Sequence, residues 1–399
     1  MGRTALIIGC GIGGPAIAMA LRRAGIDAVV YEAYAKAADD VGSFLNIASN
    51  GLDALRVLDA HEAVMAAGVR TPRMVMWSGT GKRLGEVANG LRLADGTESH
   101  TVQRADLYRI VRDEAAARGI AVEYGKELVA IEEAGGAVTA RFADGTEATG
   151  DLLIGADGVH STTRALLDPA APRARYTGLL SFGGIVDDPA AEADPGGYHM
   201  VFGKRAFFGH TVDEQGRTWW FANLPHRDAP TRESLAATSA ESWKRTLVEA
   251  LRGDANRSAE IVEMSPAGPA LPVYDLPPVP VWHRGRTVLT GDAAHATSPS
   301  SGQGASLAVE DALVLAKCLR DLPGHAEAFA RFEALRRPRA ERVVAYSARI
   351  SGSKAAGPVA RVFRDLMMPV FLKRSASAES LAWMYRHHID WDEPVARAA

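Results

Sequence analysis

Gly9-Cys10-Gly11-Ile12-Gly13-Gly14 fits the pattern G-x-G-x-x-G, and its flanks give it meaning. Before it, residues 4–8 form a short, unbroken apolar run of the kind buried on both faces of a parallel sheet. After it, residues 15–24 read as a helix, with Pro15 tolerated in the first turn and Gly25 as the stop. Residues 27–31 read as a second strand, so the first 32 residues make one strand–helix–strand unit. The glycines permit a tight turn and let backbone approach a pyrophosphate, and the helix start offers free N–H groups and a positive dipole end to the anion. Ala18 is small enough for the helix to sit close to the sheet. Glu32 ends the second strand, where a carboxylate can accept from a ribose 2′-OH and repels a 2′-phosphate. The nucleotide is therefore FAD or NAD. Cys10 reads as a small filler within the loop.

The rest of the chain bounds the answer. It has 399 residues, 47% hydrophobic and 23% charged, which suggests two or three domains and excludes a disordered or low-complexity protein. The net charge of −3 gives no argument for nucleic acid. Two cysteines, Cys10 and Cys318, exclude a disulfide framework or a Cys-based zinc site and make a reducing, cytoplasmic home the default. No H-x-x-H or carboxylate cluster suggests a metal. Residues 5–21 lack charge, follow Arg3 and carry Ala18-Met19-Ala20, as a secretory leader would. Four glycines and Pro15 argue against that reading, and cleavage after Ala20 would destroy the motif. No other run approaches the roughly 20 apolar residues of a membrane span.

Along the chain, a helix is expected over 52–67 with Asn50 as its N-cap, short strands over 70–101, and a helix over 104–118. Strands dominate 175–273, with a helical insert at 232–252. Six prolines within 266–280 read as an extended linker. A buried strand at 287–290 leads to a long helix over 304–320, then to helical pattern over 327–350, interrupted near Pro338. The expected architecture is mixed α/β. A Rossmann-like nucleotide-binding domain (1–70, 101–174 and 274–350) interleaves with a β-sheet substrate domain (71–100 and 175–273), and 351–399 forms a C-terminal helical segment.

Two later turns separate FAD from NAD. Gly155-Ala156-Asp157-Gly158 follows a strand, with Ser161 and Arg164 just after. Gly291-Asp292-Ala293-Ala294-His295 follows another, then Pro299, then Gly302-Gln303-Gly304-Ala305 opening a helix. A plain nicotinamide dehydrogenase has no need of this second dinucleotide-contacting turn. A flavin does, because its ribityl chain and ring extend far beyond the adenosine half, and helix-opening N–H groups can stabilise negative charge on the reduced ring.

These three signatures, in this order, resemble the class A flavin monooxygenases, the group of p-hydroxybenzoate hydroxylase and salicylate hydroxylase. The likeness spans most of residues 1–350. It implies noncovalent FAD held by Gly9, Gly11, Ile12, Gly13, Gly14, Pro15, Glu32 and Arg104, with Asp292 on the ribityl chain beside Gly291. It implies that Asp157 and Gly158 border both FAD and a visiting NADPH or NADH, and that Pro299, Gly302, Gly304 and Ala305 lie along the ring, Pro299 next to the substrate. The implied reaction consumes NAD(P)H and O2 and hydroxylates a small molecule through a flavin C4a-hydroperoxide. Epoxidation and Baeyer–Villiger insertion are alternatives on the same fold, and a flavin-binding protein without turnover is a more remote one. The W-x-W-x-I-P of flavin halogenases is not matched by the nearest segment, Trp219 to Pro225.

For the substrate, seven of the 27 aromatic residues fall between Tyr198 and Phe221, where fewer than two are expected by chance. Alternation lets such a sheet bury rings on one face and present others to a pocket on the other. Phe202, Phe208 and Trp220 are the expected substrate contacts, and the partner is a hydrophobic, aromatic small molecule. His210, within 206–212, is the candidate base for a substrate hydroxyl, since its ordinary pKa of ~6.5 suits that task. The stretch 359–374 mixes basic and apolar residues and reads as a helix capping the catalytic core, or as one lying on a membrane surface.

Overall fold

The computed structural model describes residues 3–37, 43–192, 194–351, 357–375 and 378–395. Its central sheet has six strands in the order His283–Arg284, Thr287–Leu289, Leu152–Gly155, Thr4–Ile8, Asp27–Glu32 and Ala121–Tyr124. All neighbours run parallel except the first pair. The apolar run at 4–8 has no polar alternation because both faces are covered. Ala5 and Ile7 face the helices with Leu152 and Ile154. Leu6 and Ile8 face a three-stranded antiparallel sheet with Leu153 and Val138.

The helix after the fingerprint spans Gly13–Arg23, and its residues 14–21 are all buried. Ala18 is wholly inside, as its small size suggested. Gly14 cannot carry a side chain: a Cβ there would collide with the carbonyl oxygen of Gly9. The helix Gly304–Asp321 packs against Gly13–Arg23 in the same core, with Ala308 next to Gly13.

A seven-stranded sheet forms the second layer, in the order Leu271–Asp275, Arg175–Asp187, Arg217–Pro225, Phe207–Val212, Gly197–Phe202, Arg73–Ser78 and Arg83–Ala88. One pair is parallel, Gly197–Phe202 with Arg73–Ser78, and this joins the early segment to the later one. Part of the proline-rich stretch is therefore an edge strand, the position where a residue lacking an N–H is tolerated.

Several local expectations are corrected. The helix expected over 52–67 is two helices, Ser49–Val57 and His61–Ala66, parted at Asp59, whose φ of 53° is left-handed. Asn50 is not the N-cap: its buried amide donates to Gln303 Oε1 at 3.0 Å and to Glu310 Oε1 at 2.7 Å. The insert at 232–252 is also two helices, Arg232–Ala237 and Ala240–Leu251, each capped by a hydroxyl, Thr231 and Ser239. Pro338 does not interrupt its helix, which runs unbroken from His325 to Ser351. Arg336, Arg337 and Arg339 around it are each tied to carboxylates, which anchors the helix on both sides of the proline.

The helix Pro358–Ser375 lies against the Arg83–Ala88 edge strand, with Leu372 next to Gly85. Arg364 donates to the carbonyl of Phe202 at 3.2 Å, and Ser78 is bonded to Asp365. No described helix is long and apolar enough to cross a membrane.

Candidate active site

A cavity of about 1230 Å³ lies between the nucleotide-type turns and the seven-stranded sheet. Drug-sized ligands occupy roughly 300–1,000 Å³, so this volume exceeds what one small molecule needs. Gly11, Ile12 and Gly13 line it, as do Gly158, Gly291 and Asp292 from the two later turns. Pro299, Gly302, Gly304 and Ala305 complete that wall. Two helix starts, at Gly13 and Gly304, thus open into one space with their unpaired N–H groups and positive dipole ends.

The remaining fingerprint residues stand behind this wall. Gly9 has φ 103°, its N–H donates to the Tyr31 carbonyl at 2.8 Å, and a Cβ would sit 2.6 Å from the Ala156 oxygen. Gly14 and Pro15 are buried against the sheet. Glu32 accepts from the N–H of Cys10 at 2.7 Å and of Tyr34 at 3.0 Å, so its carboxylate braces the glycine loop. Each oxygen keeps a further lone pair.

Arg104 opens its helix, lines the cavity, and donates to Tyr108 Oη at 2.6 Å. Asp292 also lines the cavity; burial raises its carboxyl pKa, while Arg104 and His295 pull it down. Asp157 does not face the cavity. Its carboxylate accepts from Ser161 Oγ at 2.6 Å and from the N–H and hydroxyl of Thr163 at 2.8 and 2.9 Å, fixing the start of the helix Thr162–Leu167. Gly158 alone of that pair reaches the cavity, at φ 77°.

The sheet wall follows strict alternation. Tyr198, Met200 and Phe202 line the cavity from one strand, Phe207 from the next, and Phe221 with Asn223 from the third. Register sets Phe202, Phe207 and Asn223 side by side. Phe221 lies over Gly209, where any Cβ would strike its ring.

Three substrate-side expectations are corrected by this register. Phe208 and Trp220 are one residue out of phase with the cavity row and face the opposite side. They stack at 5.9 Å against the helix Ala240–Leu251, and Trp220 Nε1 donates to Ser265 Oγ at 2.6 Å. His210 is on that same outer face, stacked on His199 at 4.9 Å, with Nδ1 buried and unbonded. Burial, with His199 adding to it, pushes the His210 pKa down to about 3. It neither reaches the cavity nor has the basicity of a general base. Phe202 is the one of the three aromatic candidates that lines the cavity.

The sequence reading missed a further wall. The last turns of the helix His325–Ser351 present Arg342, Tyr346 and Arg349 to the cavity, and Trp383 and Tyr385 approach from the C-terminal segment. Asn46 and Asn89, bonded at 3.0 Å, add polar groups. The three- and four-residue spacing of 342, 346 and 349 was the available signal. Among the described residues, Asp292 is the only carboxylate lining the cavity, and no histidine does.

The chain matches the family described as FAD binding domain over residues 3–347. It is 34% identical over 360 residues to the aurachin C monooxygenase/isomerase of Stigmatella aurantiaca, covering 88% of this chain and 89% of that protein. It is 31% identical over 423 residues to the salicylate hydroxylase of Pseudomonas putida, covering 98% and 94%. Among solved structures, Klebsiella pneumoniae HpxO complexed with FAD and uric acid aligns with a TM-score of 0.83 at 26% identity, covering 96% of this chain and 97% of that one.

Proposed function

From the premise that this chain belongs to the FAD binding domain family, as a class A flavin-dependent monooxygenase, we propose that it uses NAD(P)H and O2 to hydroxylate a hydrophobic aromatic small molecule. One observation carries this reading: a single cavity joins the glycine turns and Asp292 to a wall of aromatic rings.

The residues present fit FAD. Nothing stands within 4 Å of where a Cβ at Gly11 or Gly158 would point, so the cavity runs up to bare backbone at both turns. We assign Gly11, Ile12 and Gly13 with the first helix start to a pyrophosphate, and Glu32 to the ribose end behind the loop. Asp292, facing the cavity without a described hydrogen-bond donor, suits ribityl hydroxyls, and Arg104 balances its charge. Pro299, Gly302, Gly304 and Ala305 are assigned to the ring. When bound, the flavin supplies hydride acceptance from NAD(P)H and the activation of O2.

The protein's own part is to hold, orient and exclude water. The helix start at Gly304 directs N–H groups where negative charge develops on the ring. Phe202, Phe207 and Phe221 give the substrate an apolar surface and keep water from the reacting atoms. Burial raises the Tyr198 and Tyr385 hydroxyls well above their ordinary range, so both remain donors at neutral pH. With no histidine among the described cavity residues, the substrate reacts without a histidine base, as an electron-rich ring or a preformed anion. Epoxidation of an alkene also needs no base and is the second reading, separated by product analysis. Supply of NAD(P)H and the reduced state expected of two lone cysteines support a cytoplasmic location.

The test is a screen of phenols and aromatic acids for stimulated NADH or NADPH oxidation by the purified yellow protein. Substrate-dependent oxidation with a hydroxylated product is expected. A colourless protein that binds NAD alone would overturn the reading.

A further inference from the structure

The helix His325–Ser351 holds five of its six arginines in two ways. Arg336 and Arg339 are paired with Glu310, and Arg337 with Glu333 and Glu341. Arg342 and Arg349, on the turns that reach the cavity, have no carboxylate partner among the described residues. Both are instead held on aromatic faces. The Arg342 guanidinium carbon is 3.9 Å from the Trp383 ring centre, and that of Arg349 is 5.4 Å from the Tyr346 ring centre. Tyr346 and Trp383 meet edge to face at 6.1 Å, so cation, ring, ring and cation form one continuous strip along the cavity wall.

Stacking fixes the plane of a guanidinium while its N–H donors, directed outward around the rim, stay available. The single described carboxylate in the cavity, Asp292, answers to Arg104 and His295 and belongs to the Gly291 turn. A cavity wall with two preoriented cations and no described anion of its own is complementary to a bound negative group, and planar bidentate recognition is what arginine does best.

We propose that Arg342 and Arg349 form an oxyanion-recognition site, deepening the function proposed above by naming the charge its ligand carries. The oxyanion is either an acidic group on the aromatic substrate or a phosphate of the nicotinamide cofactor. In the first case the arginines also favour the ionised form of that acidic group. The proposal rests on the monooxygenase reading for the identity of these two ligands, and its test does not depend on turnover.

The experiment is calorimetric titration of the FAD-loaded protein and of Arg342→Gln, Arg349→Gln, the double variant and the two Arg→Lys variants. The probes are salicylate against salicylamide, benzoate against benzamide, and NADPH against NADH. FAD content read from absorbance verifies the fold of each variant. If the substrate supplies the oxyanion, the wild type prefers carboxylate to amide by about tenfold or more, Gln variants lose the preference, and Lys variants keep part of it. If the cofactor supplies it, NADPH or NADH binding weakens about tenfold in the Gln variants while the carboxylate and amide of each pair bind alike. A wild type that binds no anion of either class, or a double Gln variant that binds them unchanged, overturns the proposal. Failure of the monooxygenase reading shows separately, as loss of oxygen incorporation with anion binding intact.

Discussion

Arg336 donates through Nε to Asp311 Oδ1 at 2.6 Å, and both side chains are wholly buried. The other Asp311 oxygen accepts from the Gly291 N–H at 2.9 Å and lies 2.6 Å from His295 Nε2. Gly291 has φ 55° and ψ −137°, a conformation open essentially to glycine alone. A buried ion pair therefore braces the strained turn that carries Asp292 into the cavity.

Arg336→Ala would take from buried Asp311 its arginine and leave Glu310 with only Arg339 of its two arginines. Breaking such a pair from one side costs about 3–5 kcal/mol. Thermal unfolding with and without FAD checks this, and FAD should dissociate faster from the variant. A variant within about 1 kcal/mol of wild type, holding FAD normally, would remove the bracing role.

Acid should unfold the protein through the same cluster. Burial alone would raise the Glu310 carboxyl, but Arg336 and Arg339 outweigh it and hold it down to about 2. A carboxyl depressed in the folded state stabilises fully above its unfolded pKa of ~4.3, and that stability is lost as pH falls from there toward about 2. Unfolding free energies measured from pH 6 to pH 2.5 should fall steeply below roughly pH 4.5, and less steeply in Glu310→Gln. Equal slopes would show that Glu310 is not part of the acid response.

The two faces of the seven-stranded sheet should separate cleanly by mutation. Phe208→Ala opens the outer core and should cost about 3–5 kcal/mol. Phe221→Ala, on the cavity face, should weaken substrate binding while FAD content is retained. His210→Gln should leave coupled product formation near the wild-type rate. A loss of about 10²-fold with His210→Gln, at normal FAD content, would return His210 to the chemistry.

Gly11 and Gly14 differ in the same way. Gly11→Ala points its methyl into open cavity and should fold normally while binding FAD more weakly. Gly14→Ala drives a methyl into the Gly9 carbonyl and should destabilise the apoprotein itself. Flavin titration beside apoprotein melting distinguishes them. Equal FAD affinity for Gly11→Ala and wild type would place the pyrophosphate elsewhere.

The sequence made the nucleotide half legible because its signals are local. A strand, a glycine turn and a helix lie within about 20 residues, and Gly9 and Gly14 have steric reasons that the pattern signals. The substrate half was legible only as an excess of aromatics. Which of Phe207 and Phe208 faces the cavity depends on register with partner strands, and a one-residue error exchanges the faces. That phase error misplaced Phe208, Trp220 and His210 together. The Asp311–Arg336 brace and the Arg342–Trp383 stack join residues 25 and 41 apart on different helices, which no local pattern announces.

The central claim is that an oxygen atom from O2 ends in an organic product. Turnover under ¹⁸O₂ with an identified substrate and NADPH or NADH, followed by mass spectrometry of the product, tests it most directly. The account predicts one labelled oxygen atom per product molecule and about one O2 consumed per nicotinamide oxidised. Label confined to hydrogen peroxide and water across every substrate that stimulates oxidation would contradict it.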